Sequence, residues 1–355
     1  MGMAGKIRWG ILATGWIADL FVKDLLLTGH SVTAVGSRTE ENAKRFAKVF
    51  GIATAHGSYE ALAADPNVDV IYIATPHPHH VATAIMALNA GKHILVEKPF
   101  TINAREAAEI VALANAKNLV VLEAMWTRFL PHMRRIREII AAGTIGEIRS
   151  LIADHTQKLP DDPKHRLNDL ALGGGALLDL GIYPISFAWD ILGKPATIKA
   201  SATFKATGAD AQVATIFHYA SGAIATTLSS SDSAGANRAC IAGTKGRIEI
   251  DHVWYSPTTF RVYDNSNAVI ETFDGAVEGR GMQFQADEAE RLIAMGVTAG
   301  EIMPPAQSVA IMQTLDEVRA QIGLKYPGES MLEPSCDLPH IFATNRVTGV
   351  EAQRP

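Results

Sequence analysis

At 355 residues, with 48% hydrophobic and 19% charged side chains, the chain is long enough for two domains, each with its own core. A formal net charge of −5 argues against a nucleic-acid partner, which asks for a basic face. The two cysteines, Cys240 and Cys336, are far apart and outside any C-x-x-C pattern, so neither a disulfide framework nor a cysteine-based zinc site is expected.

The opening residues, Met1 to Lys6, have no signal-peptide core, and Lys6 stands where a myristoylation motif wants Ser or Thr. No apolar run is long enough to span a bilayer. The expectation is a cytoplasmic protein without membrane contact.

Residues 7 to about 125 alternate short apolar runs with helical spacing. Strands are expected at 7–12, 31–36, 70–74, 93–96 and 119–122, with helices at about 16–27, 40–50, 80–90 and 103–116. This rhythm predicts a parallel sheet covered on both faces. From about 145 the pattern changes. Strands are expected at 147–153, 196–204, 213–219, 223–228, 247–250 and 260–263, several joined by turn sequences such as Ala220-Ser221-Gly222. Short connections predict antiparallel neighbours. The fold class is therefore α/β: an N-terminal Rossmann domain (1–125), then an α+β domain (126–330) with an open, mostly antiparallel sheet and helices on one face. The bare face asks for a second copy of the chain, so a homodimer is expected. Helices at about 283–295 and 305–323 close the fold, and residues 331–355 read as a tail.

The first strand runs into Gly10-Ile11-Leu12-Ala13-Thr14-Gly15-Trp16-Ile17-Ala18, an Ala13-x-Gly15-x-x-Ala18 version of the dinucleotide fingerprint. Gly15 would let a pyrophosphate approach the backbone at a helix N-terminus. A ligand-free strand-to-helix turn fits this segment equally well by itself. Its place in the first βαβ unit favours the dinucleotide. The second strand ends in Gly36-Ser37-Arg38-Thr39, with no acid before Glu40. A guanidinium pairs with a 2′-phosphate where a carboxylate would repel it, so NADP is expected, with NAD as the alternative.

Three motifs together carry a resemblance: the first-strand turn, Glu97-Lys98-Pro99, and Gly173-Gly174-Gly175-Ala176-Leu177-Leu178-Asp179-Leu180-Gly181-Ile182-Tyr183. From about residue 7 to 327 the chain resembles the glucose–fructose oxidoreductase, or Gfo/Idh/MocA, family. The resemblance implies a Rossmann domain followed by an open-sheet domain that pairs in a dimer. It places Lys98 and Tyr183 beside the nicotinamide, Glu97 among the cofactor-binding residues, Thr75, Pro76, His77 and His80 at the nicotinamide ribose, and Arg166 near the cofactor. His165 stands just before Arg166 where the family often has Trp.

Oxidising an alcohol needs a hydride acceptor and a base. Tyr183 is the expected proton-transfer residue, with Lys98 lowering its pKa and Asp179, four residues earlier on one helix face, orienting substrate or Lys98. The peptide bond before Pro99 is a candidate for the cis form. The glycine run is read as letting the backbone approach the ligand. Trp126 is either a wall of the site or a core tryptophan, and His155 is a candidate substrate-pocket residue. The histidines of Thr75-Pro76-His77-Pro78-His79-His80 have no Cys or carboxylate nearby in sequence, so a resident metal is not expected, and His79 reads as solvated. The expected activity is hydride transfer between NADP(H) and a sugar, a trans-dihydrodiol or a related carbonyl compound. An NAD(P)-dependent glycosidase and a non-catalytic ligand sensor on the same fold stand as alternatives.

Overall fold

The computed structural model describes residues 6–329, so the expected tail lies outside the described residues. A six-stranded sheet is built from β1 (Arg8–Leu12), β2 (Ser31–Gly36), β3 (Thr54–His56), β4 (Val70–Ile73), β5 (His93–Glu97) and β6 (Val121–Ala124), in the order β3-β2-β1-β4-β5-β6. Every neighbouring pair is parallel. The order reverses between β1 and β4, the switch point where such sheets open a ligand crevice at the strands' carboxyl ends.

Helices α1 (Trp16–Leu27), α2 (Glu40–Phe50), α3 (Tyr59–Ala63), α4 (His80–Asn89) and α5 (Ala104–Lys117) connect these strands. Their ends follow local chemistry. Thr39, Ser58 and Asn103 cap α2, α3 and α5 through their side-chain oxygens, and Gly51 ends α2 in the left-handed conformation. The short β3 and α3 have too little apolar periodicity to be expected. Strand β6 begins two residues later than its apolar run. Asn118 terminates α5 with a left-handed turn, Leu119 N–H returns to Ala114, and Val120 N–H donates to His93 Nδ1.

After α6 (Pro131–Ala141) comes the second sheet: β7 (Ile148–Thr156), β8 (Thr197–Phe204), β9 (Asp210–His218), β10 (Ile224–Ser230), β11 (Ala239–Gly243), β12 (Gly246–Ile250), β13 (Phe260–Asp264) and β14 (Val269–Phe273). Its order is β14-β13-β12-β11-β7-β10-β9-β8, antiparallel throughout except for β7 beside β10. Helix α7 (Ile182–Leu192) packs on one face, against β7 and β10. Gly181 allows close packing there, since a Cβ would stand 3.0 Å from Ser229 Oγ and the serine would have to shift. The other face exposes Ile152, Ile216, Ile224 and Leu228. Ile152 and Ile216 flank Thr226 in one cross-strand row, the alternation expected of a half-buried sheet. Helices α8 (Gln283–Met295) and α9 (Pro305–Ile322) return to the first sheet's helices, α8 against α1 and α9 against α5. The one described stretch apolar enough to cross a membrane, Leu170–Leu192, has 83% of its apolar window buried inside the protein.

Candidate active site

Turns at the carboxyl ends of β4 and β5 meet the segment that leads into α7. Lys98 follows β5, and its bond to Pro99 is cis. Lys98 Nζ donates to Asp179 O at 2.8 Å and to Asp179 Oδ1 at 3.3 Å, and sits 5.1 Å from the centre of the Tyr183 ring. Burial opposes the ammonium, but the Asp179, Tyr183 and Glu97 charges outweigh it and hold the Lys98 pKa above its ordinary value. Burial likewise opposes the Asp179 carboxylate. Lys98, Arg166 and His77 reverse that and hold its pKa well below the usual range. The pair is a buried cation and a buried anion, each ionised because of the other.

Asp179 and Tyr183 meet Lys98 together, by a route the i, i+4 spacing does not describe. Residues Leu177–Gly181 form a π-helical turn, and regular α-helix begins only at Ile182. In the wider turn four residues fall near one full revolution, and such turns recur at functional sites.

The glycine run has a different basis from the one expected. A Cβ on Gly173 would stand 2.8 Å from Ile102 Cδ1, one on Gly174 2.8 Å from Arg166 O, and one on Gly175 1.9 Å from Asp210 Oδ1. Protein, and no ligand, fills the space their side chains would take. Asp210 is buried, accepts Leu177 N–H at 2.6 Å, and has its pKa pushed up to about 6 by burial. It anchors the start of the helix that carries Asp179 and Tyr183.

Tyr183 is 8% exposed, and its hydroxyl accepts a 3.1 Å hydrogen bond from Trp126 Nε1. Trp126 is thus both buried and at the site. Its neighbours fix it: Thr127 Oγ1 donates to Tyr255 O, and the Arg128 guanidinium donates to Ser186 and pairs with Asp190. The expected lowering of the Tyr183 pKa is not found. Burial raises it, and Lys98 and the Trp126 hydrogen bond offset only part of that rise. The phenol is protonated at neutral pH in this state. His155 is buried, stacked at 3.7 Å on Tyr255 and edge-on to Tyr183 at 4.8 Å. Burial drives its pKa down to about 3, so the ring is neutral.

Two residues expected against the cofactor turn their side chains elsewhere. His80 is fully buried, its ring nitrogens 3.0 Å from Pro99 O and 2.9 Å from Thr75 O. It ties the β4 turn to the β5 turn and has no surface to offer a ligand. Glu97 points its carboxyl inward to the Tyr72 hydroxyl and the Lys98 N–H, and burial pushes its pKa up to about 7. His77 faces the site, with Nε2 3.9 Å from Asp179 Oδ1 and its pKa lowered to about 3 by burial. Arg166, half exposed, approaches the same oxygen at 3.5 Å. Pro76 and His79 are exposed and Thr75 is buried, its hydroxyl without a partner.

At the crevice, Ala13 has φ +82 and Gly15 caps α1 without a side-chain hydrogen bond. A Cβ on Gly15 would meet nothing within 4 Å, so the helix N-terminus is open to an anion. Thr14 and Ile17 are partly exposed, Trp16 is exposed, Ser37 is buried, and Arg38 is exposed beyond β2 beside Tyr59. These residues fit a dinucleotide carrying a 2′-phosphate. Three residues of the site had no sequence signal: Tyr72, Asp210 and Tyr255. A fourth, Arg280, left only the trace of an arginine between Gly279 and Gly281.

Residues 7–125 match the model of the oxidoreductase family with an NAD-binding Rossmann fold, and residues 133–249 match the GFO/IDH/MocA C-terminal domain. The chain is 37% identical to the D-xylose 1-dehydrogenase (NADP(+)) of Hypocrea jecorina, over 90% of this chain and 93% of that protein. It is also 37% identical to the trans-1,2-dihydrobenzene-1,2-diol dehydrogenase of Mus musculus, over 90% and 98%. A 3-ketoreductase of Actinomadura kijaniata, solved with NADP and TDP-benzene, superposes with a TM-score of 0.79 at 27% identity, covering 90% of this chain and 98% of that one.

Proposed function

The chain belongs to the GFO/IDH/MocA oxidoreductase family, and from that premise we propose that it moves a hydride reversibly between NADP(H) and a CH–OH or carbonyl carbon of a sugar- or diol-like substrate, with Tyr183 handling the proton. The observation that carries this is the convergence of Lys98, from one sheet, with Asp179 and Tyr183, from the helix on the other, around a single phenol. The relatives named as an NADP(+) D-xylose 1-dehydrogenase and a trans-1,2-dihydrobenzene-1,2-diol dehydrogenase agree in chemistry.

Ala13 to Ile17, Ser37, Arg38 and the Thr75–His77 turn would hold the dinucleotide, with Arg38 on the 2′-phosphate and Arg166 near the nicotinamide end. When bound, the nicotinamide supplies the hydride acceptor or donor. The chain's own residues do the rest. Tyr183 gives its proton to the oxygen of a carbonyl being reduced and takes it back from an alcohol being oxidised. The Lys98 ammonium stabilises the phenolate left behind. The Trp126 N–H, aimed at the same oxygen, stabilises it too and fixes the ring. Asp179 keeps Lys98 charged and in place. Apolar walls from Trp126, His155 and Tyr255 limit water. Purified protein with NADP and a panel of aldoses, trans-diols and dicarbonyls tests this by nicotinamide absorbance. No change with any of them would count against it, as would glycoside cleavage without net NADPH.

The exposed row on the second sheet suits a homodimer. Ile152 is 58% exposed in the middle of that face, which a second copy would cover.

A further inference from the structure

The Gly279-Arg280-Gly281 loop brings a guanidinium to the mouth of the site. Arg280 lies 5.8 Å over the ring of Trp16 and 5.3 Å over the ring of Trp126, bridging the cofactor turn and the tryptophan that donates to Tyr183. Its charge also reaches the Tyr255 phenol. The loop is held by Asp24, a buried carboxylate on α1 that accepts the N–H groups of Arg280 and Met282 at 2.8–3.1 Å. Gly279 and Gly281 have φ +73 and +92. A Cβ on either would meet Asp24 Oδ1 at 2.4 Å or Leu130 Cδ2 at 2.5 Å. The backbone that presents Arg280 is therefore fixed, and Asp24 is consumed by amides.

The guanidinium itself has no carboxylate within ion-pair distance among the described residues. Trp16, which it overlies, is 69% exposed, the most exposed large apolar side chain among the described residues. A rigidly presented cation without a counter-ion among the described residues, beside an uncovered indole, suits a ligand with an apolar or ring-like body and an anionic end. Arginine over an aromatic ring keeps its in-plane donors free for two oxygens of one group.

We propose that Arg280 is a specificity residue that binds a carboxylate or phosphate on the substrate, remote from the reacting carbon, so that the preferred substrates are acidic sugars or acidic hydroxy compounds. This rests on the hydride-transfer reading above. Between Arg280 and Tyr183 the lining is aromatic, from Trp126, Tyr255 and His155, and the other cations of the site, Lys98 and Arg166, are both paired with Asp179, so Arg280 is the feature that distinguishes an anionic substrate from its neutral parent.

The matched set glucose, glucuronate and glucose 6-phosphate tests it, with NADP and the full-length enzyme. The wild type is expected to favour at least one of the two anions by kcat/KM. In R280Q the ratio of that anion to glucose should fall about 10–100-fold, mainly through KM, because a charge-assisted pair is lost, with R280K restoring part. Which anion responds identifies carboxylate or phosphate. An unchanged ratio overturns the proposal. A rise in the Michaelis constant for NADP, equal for all three sugars, also overturns it and makes Arg280 a cofactor clamp. Quenching of tryptophan fluorescence in the NADP complex, titrated with the same compounds in wild type and R280Q, reads binding without turnover. If nothing turns over but the anions bind in an Arg280-dependent way, the hydride-transfer reading fails and the anion site stands. If glucose turns over but the anions neither bind nor react better than it does, the anion site fails alone.

Discussion

Lys98→Met keeps much of the aliphatic stem and deletes the charge. Nζ lies 5.1 Å from the centre of the Tyr183 ring, over which phenolate charge spreads. A unit charge at about that separation, in an effective dielectric of about 20, is worth about 3 kcal/mol, which corresponds to about 2 units on the phenol. Alcohol oxidation needs Tyr183 ionised, and burial already holds its pKa above the ordinary value. Below that pKa the ionised fraction, and so the rate, falls tenfold per unit. The variant should therefore lose about 100-fold in kcat for oxidation near neutral pH, with the rising limb of the pH–rate profile moved up by about 2 units. The same change leaves Asp179 with only Arg166 at 3.5 Å and His77 at 3.9 Å. Removing one partner of a buried pair costs about 3–5 kcal/mol, so thermal unfolding and K98R, which restores the charge, serve as controls. A folded Lys98→Met enzyme with kcat within a few-fold of wild type and an unmoved limb would refute the electrostatic account.

Tyr183→Phe should lower turnover by about 10²–10⁴-fold, the usual yield of a positioned acid or base, with a modest fall in melting temperature because the buried Trp126 N–H loses its acceptor; retained activity would reassign the proton. Arg38→Ser should raise the Michaelis constant for NADP about 10–100-fold and leave that for NAD nearly alone, since only the 2′-phosphate loses its charged partner; equal effects on both coenzymes would place Arg38 elsewhere. Glu97 titrates at about 7 when folded and at about 4.3 when unfolded, so its folded form binds the extra proton between those values. Its contribution to stability is present below the unfolded value and is lost as pH rises through about 7. Melting temperatures of Glu97→Gln across that window should be flatter than wild type, and a steeper slope would contradict the sign. Ile152→Glu should halve the molecular mass in sedimentation, and an unchanged mass would remove this face as the dimer contact.

The strand–helix alternation of the first half was legible because β1, β4, β5 and β6 are buried on both faces, which leaves uninterrupted apolar runs, whereas the half-buried edge strand β3 left none. The second sheet was legible in outline through its turns. Strands β11 and β14 and helix α6 were not: Ala239–Gly243 is short and made of small residues, and Val269–Phe273 is an edge strand with little burial. Motif spacing found Lys98, Asp179 and Tyr183. It gave the glycine run a ligand as its reason, where the reason is Ile102, Arg166 and Asp210 packed where three successive side chains would stand.

The sequence by itself determined most of the elements, the glycine turn after β1, and which lysine, aspartate and tyrosine belong together, because these depend on residue type at short and fixed spacings. Only the tertiary structure decided their ionisation. Tyr183 is protonated because burial exceeds the pull of one lysine, Glu97 is pushed up to about 7 because burial outweighs the hydrogen bond from Tyr72, and Lys98 is charged because Asp179 reaches it from 81 residues away. Desolvation depends on everything packed around a group. For the same reason Arg280 could be weighed only once the fold had laid it across Trp16 and Trp126.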